Sequence, residues 1–289
     1  MINTAIIGAT GFIGTHFFSE YRRVFPECIG TTFSNIRPDL IFFDIRNPDI
    51  TQLNLEGTNH KEVLICSGKT NVEYCENNPD ESYEVNVKGT LKLVRQLEKC
   101  SIKVNFFSSD YVFDGKCGFY DDNAETLPTT EYGRQKVEVE KEIPNLTDNY
   151  LIVRIGKIID KEKDDKTLLN EIAKNLKTGK VIKVAKDQFF NPTYIYDLFC
   201  AFKVVQGKHI NGVINIASPS RISRFEIARS LAVSMGVNLD LLQIINLYDI
   251  PSMVGRPLDT SLICTKLNRL GFNFTPLDEL IHVVAKNWS

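Results

Sequence analysis

Thr4-Ala-Ile-Ile7 runs directly into Gly8-Ala-Thr-Gly11-Phe-Ile-Gly14, and a helical pattern of apolar residues begins at Phe12. The order is strand, glycine loop, helix, and each glycine has a physical use. One allows a tight turn, one lets the backbone come close to a pyrophosphate, and one lets the helix pack on the strand. N–H groups at the start of the helix, aided by its dipole, then hold the anion. Gly8, Thr10, Gly11, Phe12, Ile13 and Gly14 therefore form the candidate phosphate cradle of a dinucleotide. The spacing is G-x-x-G-x-x-G rather than G-x-G-x-x-G.

Further strand-like runs follow at Cys28–Thr32, Leu40–Phe43, Val63–Cys66, Val104–Ser108 and Leu151–Arg154, several of them apolar on both faces. Amphipathic stretches lie between them, such as Phe12–Val24 and Glu81–Lys99, the latter with Val85, Leu91 and Val94 on its apolar side. Doubly apolar strands alternating with helices predict a doubly wound parallel sheet covered on both faces. This first domain is expected over residues 1–155, completed by part of 186–216. Residues 156–289 are expected to form mainly a smaller substrate-binding lobe. Helical patterns recur there at Thr167–Leu176, Tyr196–Val205, Arg224–Met235 and Leu277–Lys286, with strands near Val181–Val184 and Val213–Ile216. The charge run Lys161–Lys166 reads as a solvated loop.

The 289 residues are 43% apolar and carry a formal net charge of −2. That balance leaves no broad positive field for a nucleic-acid backbone. No apolar stretch approaches the roughly 20 residues of a membrane helix. A strand-like run starts right after Met1 without a leader pattern, which predicts a cytoplasmic protein. Seven scattered cysteines without a C-x-x-C pair suit reduced thiols, and four distant histidines give no metal-ligand spacing, so no metal is expected.

Of ten tyrosines, only Tyr132 has a lysine four positions on, in Tyr132-Gly-Arg-Gln-Lys136. On a helix these two share a face. An ammonium beside a phenol favours phenolate and eases proton exchange with a carbonyl or alcohol oxygen. The fifth strand ends in Phe106-Phe-Ser-Ser-Asp-Tyr-Val-Phe-Asp-Gly115, and strand C-terminal ends are where such sheets bind ligands. Ser108 and Ser109 point to opposite sides, so one hydroxyl serves the substrate carbonyl and helps orient Tyr132. Beyond the second strand no acid appears until Asp39. Thr31, Ser34 and Arg37 can donate to a 2′-phosphate, which favours NADP(H) and leaves NAD(H) possible.

Together these residues resemble the extended short-chain dehydrogenase/reductase superfamily, and within it the dTDP-4-dehydrorhamnose reductase family. The resemblance rests on Ser108-Ser-Asp-Tyr-Val-Phe-Asp-Gly115, Tyr132-Gly-Arg-Gln-Lys136, Val85-Asn-Val-Lys-Gly-Thr90, Asp187-Gln-Phe-Phe-Asn-Pro-Thr193 and Arg256-Pro-Leu-Asp-Thr-Ser-Leu262. It implies a Rossmann-type sheet with a smaller C-terminal α/β lobe, and reduction of a keto group on a nucleotide-activated deoxysugar. Tyr132 would be the acid/base, Lys136 would also bind the nicotinamide ribose, and Ser109 stands in the place of the family's catalytic threonine. Cys66, Ser67 and Gly68 fall on a run of small residues touching the cofactor, and Asp44 and Ile45 on the segment near the adenine. Asn86 and Ser108 join the cofactor set, and Tyr111, Gln188 and Asn191 the substrate set. Arg256 either approaches the substrate's diphosphate or makes an inter-lobe salt bridge. Lys69 departs from the pattern, standing where an aromatic is common. Two further activities stay open: a sugar-nucleotide epimerase, and a non-catalytic regulatory subunit like the β subunit of methionine adenosyltransferase. A homodimer is compatible with the resemblance.

Arg37 can meet a 2′-phosphate with two charge-assisted hydrogen bonds, each contributing about 1.5–3 kcal/mol. Replacing Arg37 by Ala should weaken NADPH selectively and leave NADH nearly untouched. Dissociation constants of both cofactors check this, and equal affinities in the wild type would count against Arg37.

Overall fold

In the computed structural model, which describes residues 1–55, 57–163, 165, 167–253 and 255–289, the alternation of strand and helix starts with β1 (Thr4–Ile7) and α1 (Phe12–Arg22). It continues through β2 (Thr31–Thr32), β3 (Ile41–Phe42), β4 (Glu62–Ile65), α2 (Val72–Asn77), α3 (Pro79–Tyr83), α4 (Thr90–Lys99), β5 (Lys103–Ser109), α5 (Glu131–Leu146) and β6 (Tyr150–Ile155). Then come β7 (Ile158–Ile159), α6 (Leu168–Lys177), β8 (Ile182–Ala185), β9 (Phe189–Phe190), β10 (Thr193–Tyr194), α7 (Ile195–Gly207) and β11 (Gly212–Ile216). The chain ends with β12 (Ile222–Ser223), α8 (Arg224–Ser234), β13 (Leu242–Ile245), α9 (Thr265–Asn268) and α10 (Leu277–Trp288).

Two compact units result. One comprises Met1–Val112, Thr126–Arg154 and Phe202–Ile214; the other comprises Phe113–Glu125, Ile155–Ala201 and Asn215–Ser289. The return at Phe202–Ile214 falls inside the 186–216 stretch expected to complete the first domain, whereas the excursion at Phe113–Glu125 departs from a boundary near residue 155.

The first unit is built on a sheet ordered β1-β4-β5-β6-β11, with β1, β4 and β5 parallel. Consecutive residues of β5 show why its strands are apolar on both sides. Phe106 joins the cluster of Leu93, Leu97, Val139 and Ile143 from α4 and α5. Phe107 packs edge-on against Phe17 of α1 at 5.3 Å and Phe202 of α7 at 5.8 Å. A buried polar knot explains the return of α7: Gln206 Nε2 donates to Thr4 Oγ1 at 2.8 Å and to Glu62 Oε2 at 2.9 Å, and Tyr21 donates to Gln206 Oε1 at 3.1 Å. Unpaired, these groups would each cost a desolvation penalty of about 1–3 kcal/mol.

Two expected elements differ. The strand expected at Cys28–Thr32 shrinks to Thr31–Thr32, which pairs with β3, while Gly30 makes only an isolated bridge to Ile6. The helix expected over Glu81–Lys99 starts earlier, at Pro79, and is interrupted by a π-helical turn at Glu84–Gly89 before α4. An extra residue in a helical turn rotates the side chains beyond it, and such turns are frequent at functional sites.

The second unit has its own core. Leu169, Ile172 and Leu176 of α6 meet Ile227 and Leu231 of α8 and Leu280, Ile281 and Val284 of α10. Trp288 Nε1 donates to Asn170 Oδ1 at 2.7 Å, closing the C-terminus onto α6. Ser223 and Glu226 form a reciprocal capping box on α8. Within the run Lys161–Lys166, Asp164 and Lys166 lie outside the described residues. Among the described residues no helix is long and apolar enough to cross a membrane.

Helix α5 is tied to β6 by a fork: Arg154 donates to both oxygens of Glu140, the shortest contact 2.7 Å, with side chains only 7% and 5% exposed. Removing one partner of a buried pair strands the other charge, at a cost of about 3–5 kcal/mol. Glu140→Ala should lose that much in urea unfolding, whereas the double variant Glu140→Leu, Arg154→Met should recover most of it.

Candidate active site

Gly8 follows β1 with φ of 93°, a backbone that favours glycine. Its N–H donates to Thr31 Oγ1 at 3.0 Å, and the Ala9 N–H to Thr31 O at 2.8 Å, so the loop is buttoned to β2. A Cβ on Gly14 would stand 2.1 Å from the Gly8 carbonyl oxygen, which is how α1 packs so close to its own loop. At Gly11 a Cβ would meet no protein atom nearer than 3.5 Å. Packing does not demand glycine there, so the room it leaves fits a ligand approaching the backbone. Gly11 caps α1 without a side chain over the first-turn N–H groups of Phe12 and Ile13, and Thr10 Oγ1 lies 3.5 Å from Thr32 Oγ1.

Beyond β2 the expected phosphate donors are partly occupied. The Thr31 hydroxyl serves Gly8, and Ser34 is exposed. Arg37 forks onto Asp39 at 3.0 and 2.7 Å, and Arg22 joins the same carboxylate at 3.1 Å. Asp39 is held below its ordinary carboxylate range chiefly by the Arg37 hydrogen bonds. Arg37 must therefore exchange one anion for another to meet a cofactor phosphate. Asp44 is likewise held by Arg46, the shortest contact 2.7 Å. The Arg46 guanidinium lies 4.9 Å from the ring centre of exposed Phe33, itself 5.9 Å from Phe42. Arg46 and Phe33 were not singled out in the sequence; their only signal was an arginine two residues past Asp44. Ile45 is buried, its carbonyl against Gly89.

At the end of β4, the Cys66 N–H donates to Ile7 O at 2.9 Å and leads into Ser67 and Gly68. Asn86, in the π turn, accepts from the Lys69 N–H at 2.7 Å and donates to Lys69 O at 2.9 Å and to Gln135 Oε1 at 2.7 Å. Its amide is thus occupied in shaping the Cys66–Lys69 segment. Lys69 pairs with Glu81 at 3.2 Å and lies 4.8 Å from the Tyr74 ring centre.

The catalytic candidates come together on α5 and the end of β5. Thr130 caps α5 by accepting from the Gly133 N–H at 3.1 Å. Tyr132 and Lys136 are both buried, one turn apart. Lys136 Nζ donates to Phe107 O at 2.9 Å and lies 4.4 Å from the Phe106 ring centre and 5.8 Å from that of Tyr132. Ser109 Oγ donates to Asp110 Oδ1 at 3.0 Å and accepts from the Tyr111 N–H at 3.2 Å. The Tyr111 ring stands edge-on to Tyr132 at 6.2 Å. Ser108 Oγ is buried with no hydrogen-bond partner among the described residues.

The electrostatics correct one expectation. Burial raises the Tyr132 phenol well above its ordinary range, with the Ser109 hydrogen bond acting the other way. Lys136 is brought down to about 8, again chiefly by burial. In this protein alone the lysine does not draw the phenol down: desolvation disfavours charge on both groups, and the ammonium points to a backbone carbonyl.

In the second unit, Asn191 is buried with its amide in backbone bonds, donating to Ser218 O at 2.8 Å and accepting from the Leu262 N–H at 2.6 Å. That is a framework role, not the substrate contact expected. Gln188 Oε1 accepts from Arg224 at 3.2 Å. Arg256 is half-buried, its carbonyl accepting from the Tyr248 hydroxyl at 2.8 Å. Among the described residues no group of three or more His, Cys, Asp or Glu could hold a metal ion.

A glycine-looped parallel sheet with a tyrosine and lysine on one helix turn defines the class: an NAD(P)-dependent oxidoreductase of the extended short-chain dehydrogenase/reductase type. More narrowly, the chain belongs to the RmlD substrate binding domain family, whose model matches residues 2–287. It is similar to the dTDP-4-dehydrorhamnose reductase of Mycobacterium tuberculosis, 28% identical over 81% of this chain and 75% of that one. It also resembles methionine adenosyltransferase 2 subunit beta of Danio rerio, 23% identical over 93% of this chain and 84% of that one. A dTDP-4-dehydrorhamnose reductase from Bacillus anthracis, solved in complex with NADP, shares the fold with a TM-score of 0.81 at 22% identity, covering 99% and 100% of the two chains.

Because the folded-state pKa of Lys136 lies below its ordinary 10.5, the unfolded chain holds the extra proton between about 8 and 10.5. Stability contributed by this group therefore rises with pH across that window, and the cost of burying its charge is greatest below pH 8. Lys136→Met should gain stability over the wild type at pH 7, and the gain should shrink by pH 10. Urea midpoints at the two pH values test this; a pH-independent difference would contradict the assignment.

Proposed function

We propose that this chain catalyses NADP(H)-dependent reduction of a keto group on a nucleotide-activated deoxysugar. The observation that carries the reading is the buried Tyr132–Lys136 pair, one turn apart on α5, in the same unit as the Ser109 hydroxyl and the glycine cradle. Gly8, Thr10, Gly11, Phe12, Ile13 and Gly14 hold the pyrophosphate. Arg37, Ser34 and Arg46 border the ribose phosphate and adenine, beside Asp44 and Ile45. Cys66, Ser67, Gly68 and the orphaned Ser108 hydroxyl line the nicotinamide end. Held there, a reduced nicotinamide would supply the hydride for the carbonyl carbon. Tyr132 gives its proton to the carbonyl oxygen, and its high pKa keeps the proton in place until the substrate oxygen becomes basic. Ser109 donates to that oxygen, for which its hydroxyl turns from Asp110. Lys136 holds the ribose and places positive charge beside the developing alkoxide. Tyr111, Gln188 and Arg256 contribute to substrate binding.

A second reading, a regulatory subunit, draws on the methionine adenosyltransferase relatives, which match over 92–93% of the chain against 81% for the mycobacterial reductase. Incubation with nucleotide 4-ketosugars separates the two: the reductase oxidises NADPH, and a regulator does not. In the reductase, Tyr132→Phe should lower turnover roughly 10²-fold or more while NADPH binding persists. Retained turnover in the purified variant would remove Tyr132 from the acid/base role.

A further inference from the structure

Phe119 is a bulky residue in the left-handed region, φ 52°, and the residue is 55% exposed. Side chains other than glycine, asparagine and aspartate visit that region at a cost, and they persist there only where the surroundings over-determine them. Here they do. The Phe119 N–H donates to Ser261 Oγ at 2.8 Å, and the next N–H, of Tyr120, donates to Ser261 O at 2.9 Å. Before it, Gly118 presses so close to Asp259 that a Cβ would lie 2.2 Å from its carboxylate.

The ring is also backed. The Arg221 guanidinium lies 5.3 Å from the Phe119 ring centre and 3.8 Å from that of Phe189, between two aromatics. Its charge is balanced by Asp259, whose Oδ2 accepts from Nε at 2.9 Å and Nη2 at 2.7 Å. Such a stack does not attract a bare anion, because its one positive charge is already paired. It offers a flat, polarisable, electrically balanced surface.

We infer that Phe119 is the face on which the base of a nucleoside diphosphate stacks, within the nucleotide-linked substrate. The inference rests on the nucleotide-sugar reading above and adds the residue that holds the base. Position supports it. Arg256 is on the same segment as Asp259, three residues earlier, and Pro257 and Asp259 lie against Gly115 and Gly118 of the segment that carries Phe119. Among the described residues Arg256 has no carboxylate partner within its unit. A stacking ring and an uncommitted guanidinium on neighbouring segments match a base and its diphosphate. Aromatic stacking tolerates any base, so the site selects a nucleotide without specifying which.

Calorimetric titration of dTDP, UDP and inorganic pyrophosphate into NADPH-saturated protein tests the proposal, the bound coenzyme keeping the probes out of its own site. Phe119→Ala should lose roughly ten- to a hundredfold in affinity for the nucleoside diphosphates and none for pyrophosphate, and Phe119→Trp should restore the loss. Phe119→Gly, which relieves the positive φ and so keeps the fold, should behave like the alanine variant. If the alanine and glycine variants bind dTDP and UDP as the wild type does, stacking is overturned while the nucleotide-sugar reading stands. If the wild type binds neither nucleotide, both fall. Sedimentation that shows a dimer lost in Phe119→Ala with nucleotide affinity intact would assign the ring to a contact between copies instead, and overturn the proposal.

Discussion

Helix α5 lies against the end of β5 only because position 133 has no side chain: a Cβ there would stand 2.2 Å from the Tyr111 carbonyl oxygen. That close approach sets the height at which Tyr132 and Lys136, on either side of Gly133 in the motif, meet the strand that carries Ser109. The Lys136 ammonium then reaches the Phe107 carbonyl at 2.9 Å, and further along the helix Glu140 closes on Arg154. Three contacts thus fix one helix in rotation, depth and axial position. A site whose geometry must hold within a fraction of an ångström needs that kind of support.

The same packing explains the electrostatics. A lysine and a tyrosine buried together are each pushed toward the neutral form, so the bare protein holds them as a poised pair rather than an ion pair. Charge can develop on Tyr132 only when something else in the site offsets it, and Ser109 and a bound ligand are the groups at hand. The cradle shows a similar economy. Gly8 and Gly14 are glycines because the protein itself crowds them, whereas Gly11 is open on its protein side.

Buried amides complete the framework and redirect several residues that look like ligand contacts. Asn86 ties the segment after β4 to α5 through Gln135, and Asn191 ties two backbone segments of the second unit together. Both carry the right chemistry for binding, yet their hydrogen-bonding groups are satisfied by the chain. Arg37 belongs to a subtler group, since its fork is exposed but already meets Asp39.

Local rules were enough to read the parallel sheet, the glycine cradle and the Tyr132–Lys136 helix turn from the sequence. Each depends on residues a few positions apart: period-two and period-3.6 apolar patterns, a tight turn, and an i to i+4 spacing. Strand ends at Gly30 and the π turn at Glu84–Gly89 escaped, because they are set by which hydrogen bonds the neighbouring segments offer. The return of α7 to the first unit was expected only loosely. Its cause is a polar knot joining Thr4, Glu62 and Gln206, far apart along the chain. Which residue types populate the site was therefore determined locally. How each is used, as a ligand contact or as a strut, was decided by tertiary structure, because a polar side chain's role depends on which partners the fold has already placed within hydrogen-bond reach.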